Sequence, residues 1–198
     1  AYNAVGSMMG LAVADLERTT VPTTGIAAGT GYMDIVATGN LSTFGAGTAT
    51  LGGTTTATIL AGTSSVTISG ATYLKAEAGV TIIATATSGD ALTAGTSAGV
   101  TVNAGAASRL VVTSVNSGNG VTAGSPFAVV VQSQDANGNP SSPTQVTAVS
   151  LGVATGAGTL GGTAAGTISS ASPVTLAVTY TKAESGVSIV ATATSGDT

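Results

Sequence analysis

The sequence contains neither cysteine nor histidine. The absence of cysteine excludes disulfides, thiolate metal sites and cysteine nucleophiles. The absence of histidine removes the usual general base and the commonest transition-metal ligand. Aromatic residues make up only 3% of the chain, although ligand sites usually rely on aromatic side chains or converging polar groups. Since there is also no paired-carboxylate or nucleophile–base motif, we predict that the protein is not an enzyme.

Charged residues are scarce as well. Four basic side chains stand against eight acidic ones, which gives a net charge of −4. Nucleic-acid binding needs a dense basic surface, so no nucleic-acid partner is predicted. The longest apolar stretch, residues 4–14, is shorter than the roughly 18 residues of a membrane helix, so no membrane insertion is predicted. A weakly charged surface rich in Thr, Ser and Gly is common among secreted proteins, and we predict an extracellular, cell-surface location.

The strongest feature of the sequence is an internal repeat. Residues 73–90 and 180–197 are identical at 14 of 18 positions, and the motifs GAGT and TLGGT precede both copies. Further back, we align residues 25–40 with residues 120–135. This alignment leaves the second copy with an additional segment within residues 136–155.

Each copy alternates apolar and polar residues between turn signals, which is typical of short strands. In the second copy we predict strands near residues 109–113, 127–133, 145–151, 166–169, 173–181 and 187–194. The repeated Gly-Gly motif is interpreted as a turn. The predicted fold class is all-β, with two tandem Ig-like antiparallel β-sandwiches of Greek-key topology. The predicted domains are residues 11–105 and 106–198, preceded by a separate strand at residues 1–10.

The second copy contains, in order, ASRLVVTSVNSGNGVTAGSPFAVVVQSQDANGNP, GTLGG and VTYTKAESGVSIVATATSGD. This pattern resembles the Ig-like tandem repeats of bacterial and archaeal surface proteins, including invasin-type modules. The resemblance implies a module of an adhesin, a stalk or a surface layer. The first copy follows the pattern less closely, since Asn40 stands where the second copy has Asp135.

Residues 91–105 follow the first copy and alternate Val100, Val102 and Ala104 on one predicted face. We interpret this segment as the closing strand of the first sandwich. No such segment follows the second copy before Thr198. The alignment above places residues 1–10 opposite residues 96–105, where the closing strand of a preceding module would stand.

We therefore predict a structural subunit, such as a pilus-type filament, that polymerises head to tail. The N-terminal strand of one copy would complete the second sandwich of the next copy by donor-strand complementation. Such a contact does not close on itself and propagates a filament. The strand residues predicted to mediate polymerisation are Tyr2, Val5, Met8, Met9 and Leu11. The alternative is a part of a longer adhesin or surface-layer protein, in which the repeats form a stalk or a ligand-binding module.

Three further predictions concern individual side chains. Asp135, Asn137 and Asn139 offer oxygen atoms at alternate positions, as a calcium loop does, but an Asx turn explains the same residues. Calcium is the only cofactor that the sequence suggests. Asn40 begins an Asn-Leu-Ser triplet that fits the glycosylation sequon. Lys75 with Glu77, and their counterparts in the second copy, are spaced to form exposed ion pairs on a strand.

Overall fold

The computed structural model describes residues 31–36 as backbone and residues 47–197 with their side chains. The structure is all-β, and the chain divides into two compact units between Asn103 and Ala104. The predicted donor strand at residues 1–10, together with Leu11 and Asn40, lies outside the described residues. Within the described ranges, no helix has the length and apolar character needed to cross a bilayer.

The described part of the first unit consists of short antiparallel strands. They are β1 (Gly31–Val36), β2 (Gly52–Gly53), β3 (Thr56–Ile59), β4 (Ala71–Thr72), β5 (Glu77–Val80), β6 (Ile83–Ala86), β7 (Gly95–Thr96) and β8 (Val100–Val102). One sheet has the order β3-β1-β6-β7, and the pairs β2-β4 and β5-β8 are separate. The buried core residues are Leu51, Tyr73, Val80, Ile82, Ala84 and Val102.

The second unit forms two larger antiparallel sheets. Its strands are β9 (Arg109–Val115), β10 (Phe127–Gln134), β11 (Thr147–Thr155), β12 (Leu160–Gly162), β13 (Ala165–Ile168), β14 (Val174–Tyr180) and β15 (Ser188–Ser195). One sheet has the order β12-β14-β10-β9, and the other has the order β13-β11-β15. A 3-10 turn, Asn116–Gly118, follows β9.

Apolar side chains from both sheets of the second unit form one core. Val129 and Val131 of β10 and Val178 of β14 are fully buried, and they contact the same cluster as Val149 and Leu151 of β11. Alternate residues of a strand point to opposite faces, so the pattern of β10 buries every second side chain. This arrangement confirms the predicted all-β character.

Six of the seven strands of the second unit lie close to their predicted positions, whereas β12 was not predicted. β12 contains the repeated Gly-Gly motif, which we had interpreted as a turn. Gly162 has a φ of +76°, and a Cβ atom there would lie 2.8 Å from the carbonyl oxygen of Ala177 on β14. Glycine is required because the strand approaches its partner closely in a left-handed conformation.

The pairing of β1 corrects the alignment of the first copy. β1 pairs with β3 and β6. In the second unit, the counterparts of β3 and β6 are β13 and β15, and both of these pair with β11. Residues 31–36 therefore correspond to residues 147–152. The alignment of residues 25–40 with 120–135 is wrong, and β11 is not an additional segment of the second copy. The placement of residues 1–10 opposite residues 96–105 used the same register and loses that support.

Candidate functional site

β15 lies at the edge of its sheet. It pairs with β11 along its length, and no other strand in residues 47–197 pairs with it. A strand in this position presents backbone N–H and C=O groups on its free side, where another strand can add to the sheet. Val190 of β15 is 43% exposed, although it is an apolar residue within a strand.

A groove of about 520 Å³ lies beside this edge in the second unit. Val187, just before β15, and Ile189 within β15 line it on one side. Val112 and Val115 line it from β9. All four side chains pack against the core and are only partly buried. We call this feature the edge groove. Its lining combines these apolar side chains with polar ones, among them Glu184.

The same edge is covered in the first unit. β7 pairs with β6, and β8 pairs with β5, so residues 95–102 run along residues 77–84. The counterpart of residues 77–84 in the second unit is residues 184–191. The prediction that residues 91–105 supply a strand to the first unit is confirmed. Val102 of β8 is buried in the core, as the predicted alternation requires.

Burial differs between the two copies of this edge. Val80 is fully buried, whereas its counterpart Val187 is half-buried. Ile82 is buried as well, whereas its counterpart Ile189 is half-buried. Since the residues are identical, their exposure in the second unit reflects the environment of the edge rather than the sequence.

A polar cluster lies at one end of the edge groove. Tyr180 Oη donates to Glu184 Oε1 at 2.5 Å, and the backbone N–H of Ala157 donates to the same oxygen at 2.7 Å. The Gly158 N–H donates to Tyr180 Oη at 2.7 Å. Lys182 Nζ lies 3.2 Å from Glu184 Oε2. The cluster joins the GAGT motif to the segment between β14 and β15.

The first unit contains the same cluster. Tyr73 donates to Glu77, the Thr48 N–H donates to Glu77 Oε1 at 2.6 Å, and Lys75 Nζ lies 3.3 Å from Glu77 Oε2. The predicted ion pairs are confirmed, but Lys75 does not lie on a strand. The role of the tyrosine was not predicted. Its signal in the sequence is the joint repetition of GAGT with Tyr-x-Lys-Ala-Glu.

Hydrogen bonding lowers the pKa of both glutamates. The hydrogen bond from Tyr180, followed by that from the Ala157 N–H, lowers the pKa of Glu184 to about 2 from 4.5. Burial alone would raise the pKa of Glu77, but hydrogen bonds from Tyr73 and Thr48 outweigh it and lower this pKa to about 2. The hydrogen bond to Glu184 in turn raises the pKa of Tyr180 above its ordinary value. Both glutamates are therefore ionised at neutral pH.

We expect Glu184→Gln to remove part of the acid sensitivity of the second unit. The pKa of Glu184 is lower in the folded protein, so its stabilising effect is present above pH 4.5 and is lost as the pH falls towards about 2. At neutral pH the variant should be less stable than the wild type, and the difference should shrink through this pH range. Urea unfolding of both proteins at several pH values measures this difference in the free energy of unfolding. Glu77→Gln should give the same pH dependence for the first unit, because the pKa of Glu77 is also lowered to about 2. A stability difference that is independent of pH would contradict the expectation.

Asp135 accepts four hydrogen bonds inside a turn. Its Oδ1 accepts from the N–H groups of Asn137 and Asn139, both at 2.9 Å. Its Oδ2 accepts from the Gly105 N–H at 2.8 Å and from Asn139 Nδ2 at 2.9 Å. Asp135 is only 2% exposed. Burial alone would raise its pKa, but the hydrogen bonds from Asn139 and the Gly105 N–H hold that pKa below its usual range.

The structure thus brings Asp135, Asn137 and Asn139 together as an Asx turn. N–H groups, rather than oxygen atoms, surround the carboxylate. In the described ranges, no group of three Asp or Glu residues is placed to hold a metal ion. The calcium site stays a prediction.

No protein-family model, curated protein or solved structure matches this chain. The resemblance to Ig-like surface repeats therefore remains a prediction from the residues. A functional proposal has to rest on the duplicated units, the free edge of β15 and the edge groove.

Proposed function

We propose that the protein is a non-catalytic structural component of an extended extracellular assembly, built from two tandem Ig-like β-sandwiches joined to further units by strand addition. The observation that supports this most directly is the free edge of β15 beside the edge groove. Catalysis and small-molecule binding have less support, because Asp135 is held inside its turn and the two lysines pair with Glu77 and Glu184.

Strand addition supplies both specificity and stability. The added strand would form main-chain hydrogen bonds with β15, while its apolar side chains fill the edge groove. Each large aliphatic side chain that becomes fully buried contributes about 1.5–3 kcal/mol. If the strand belongs to another copy, the contact is head to tail and generates a filament.

In the filament form of this proposal, the donor is the N-terminal segment of a neighbouring copy, residues 1–10. Val5 and Met9 would then enter the groove from one face of the donor strand, with Leu11 next to them, while Tyr2 and Met8 lie on its other face. The partners are copies of the same chain, at the cell surface. Adhesion or surface coverage would be properties of the assembled polymer.

A second candidate is a repeat unit within a longer surface protein, such as an adhesin stalk or a surface layer. The first unit favours this candidate, because the strand that covers its edge follows directly in the same chain. In such an array, each unit would receive its last strand from the segment after it. Both candidates use the same edge and the same type of contact.

Deletion of residues 1–10 separates the two candidates. In the filament form, the intact chain should form polymers and the truncated chain should remain near the 18.5 kDa of one copy or below. Light scattering after size exclusion, together with negative-stain electron microscopy, measures this. Ile189→Asp, which places a charge in the edge groove, should also prevent polymers. An intact chain that stays monomeric at high concentration would contradict the filament form and favour the array.

A further inference from the structure

We infer that the free edge of β15 accepts a strand with the sequence pattern of residues 95–102, Gly-Thr-Ser-Ala-Gly-Val-Thr-Val, in the register that this segment adopts in the first unit. The inference rests on the proposed function and names the chemistry of the occupant. The occupant is an extended, uncharged peptide with a central glycine followed by a Val-Thr-Val alternation.

The two acceptor edges have nearly the same amino-acid sequence. Residues 73–90 and 180–197 differ at four positions: Leu74/Thr181, Ala78/Ser185, Thr81/Ser188 and Ile83/Val190. The core-facing positions are unchanged, since Val80 and Ile82 correspond to Val187 and Ile189. A strand that fits the first edge therefore meets the same side chains on the second.

The first unit supplies the register. Thr96 lies opposite Ile83, Val100 opposite Val80, and Val102 opposite Glu77. Transferred to the second unit, the occupant places its threonine opposite Val190. Its two valines lie opposite Val187 and Glu184. The second valine corresponds to Val102, which is only 6% exposed in the core of the first unit.

A pair of glycines supports this register. In the first unit the occupant strand passes directly over Gly79, since a Cβ at Gly99 would lie 3.4 Å from the Gly79 Cα. Gly186 is the counterpart of Gly79, and the two have nearly the same φ, +73° and +75°. A Cβ at Gly186 would have no neighbour within 4 Å. Gly186 thus already has the backbone conformation of Gly79, over which the strand passes in the first unit, and the space above it is open.

Charge also favours an occupant of this kind. Lys182 and Glu184 both line the edge groove, and they already pair with each other. Val187, Ile189, Val112 and Val115 supply the apolar part of the lining. An occupant with no charge of its own therefore fits the groove without leaving an unpaired ion.

A synthetic peptide of residues 91–105, added to the full-length protein, tests the inference. Hydrogen exchange measured by mass spectrometry should show at least tenfold slower exchange in residues 184–192, and residues 77–84 should not change. A peptide with Val100→Asp and Val102→Asp should bind at least tenfold more weakly. These substitutions lie in the peptide, so the folding of the protein is not affected.

Exchange that is unchanged in residues 184–192 at millimolar peptide, or equal binding of both peptides, would overturn the inference. Electron microscopy of the protein alone tests the proposed function separately. If polymers form but the peptide does not bind, this occupant is rejected, and strand addition by another segment is kept as the assembly mechanism. If the peptide binds but the protein forms no assembly, alone or within a longer chain, the inferred occupant is supported and the proposed function is rejected.

Discussion

Asp135→Ala should destabilise the second unit by about 3 kcal/mol or more, because hydrogen bonds to a charged group contribute about 1.5–3 kcal/mol each. The substitution removes a buried carboxylate on which four hydrogen-bond donors converge. They are the N–H groups of Gly105, Asn137 and Asn139 and the side-chain amide of Asn139. Solvent does not replace the lost acceptor readily, since Asp135 is only 2% exposed.

The midpoint of urea unfolding, followed by circular dichroism, measures this effect. Asp135→Asn should give an intermediate loss, because the amide keeps one acceptor oxygen but directs an NH₂ group at the remaining donors. Asp90→Ala is the control, since this aspartate is exposed and its replacement should change stability by less than about 0.5 kcal/mol. Equal midpoints for Asp135→Ala and the control would show that the turn does not depend on the carboxylate.

The same variants test the calcium prediction. If calcium binds at Asp135, it should raise the unfolding midpoint of the wild type and leave that of Asp135→Ala unchanged. If Asp135 acts only as a turn residue, calcium should change neither midpoint. The four N–H donors around the carboxylate favour the second result.

Gly158→Ala should destabilise the second unit by about 1–3 kcal/mol through overpacking. An added Cβ would lie 2.6 Å from Cζ of Tyr180 and 2.9 Å from Cβ of Lys182. The ring of Tyr180 is buried and cannot move without breaking its hydrogen bond to Glu184. Gly47→Ala should behave alike in the first unit, since its Cβ would meet the hydroxyl of Tyr73.

Gly120→Ala is the matched control, because a Cβ at that exposed position has no neighbour within 4 Å. Unfolding midpoints give the stability effect. The acid titration of Glu184 gives a second readout, because displacement of Tyr180 should return its pKa towards 4.5. A Gly158→Ala variant as stable as Gly120→Ala would mean that the Tyr180 ring adjusts at little cost.

Strands with a clear alternation could be predicted from the sequence. β10 reads FAVVVQSQ, and its apolar residues at every second position face the core. β12 could not be predicted, because two consecutive glycines favour a turn unless a partner strand is known. The alignment of residues 25–40 with residues 120–135 was also wrong, since the pairing of β1 with β3 and β6 that reveals the true counterpart is a long-range contact. Short apolar segments resemble one another too closely for an alignment to choose between them.

The candidate site could be predicted only in part. The repeated sequence and the segment after its first copy indicated a strand on the edge of the first unit. The ion pairs of Lys75 and Lys182 followed from their spacing to the glutamates. The hydrogen bonds of Tyr180 could not be predicted, because the GAGT motif reaches them from a distant part of the chain. The edge groove depends on the packing of β9 against the start of β15, which no local pattern specifies.

The composition of β15 has a consequence for handling the protein. Natural sheet edges are often shielded by lysine, by proline or by charged side chains that point inward. β15 reads SIVATATS and contains none of these. A β-rich, uncharged edge of this kind favours non-specific aggregation when it has no occupant. The isolated chain should therefore aggregate more as its concentration rises, and a Val190→Lys substitution, at a position that is 43% exposed, should raise its solubility.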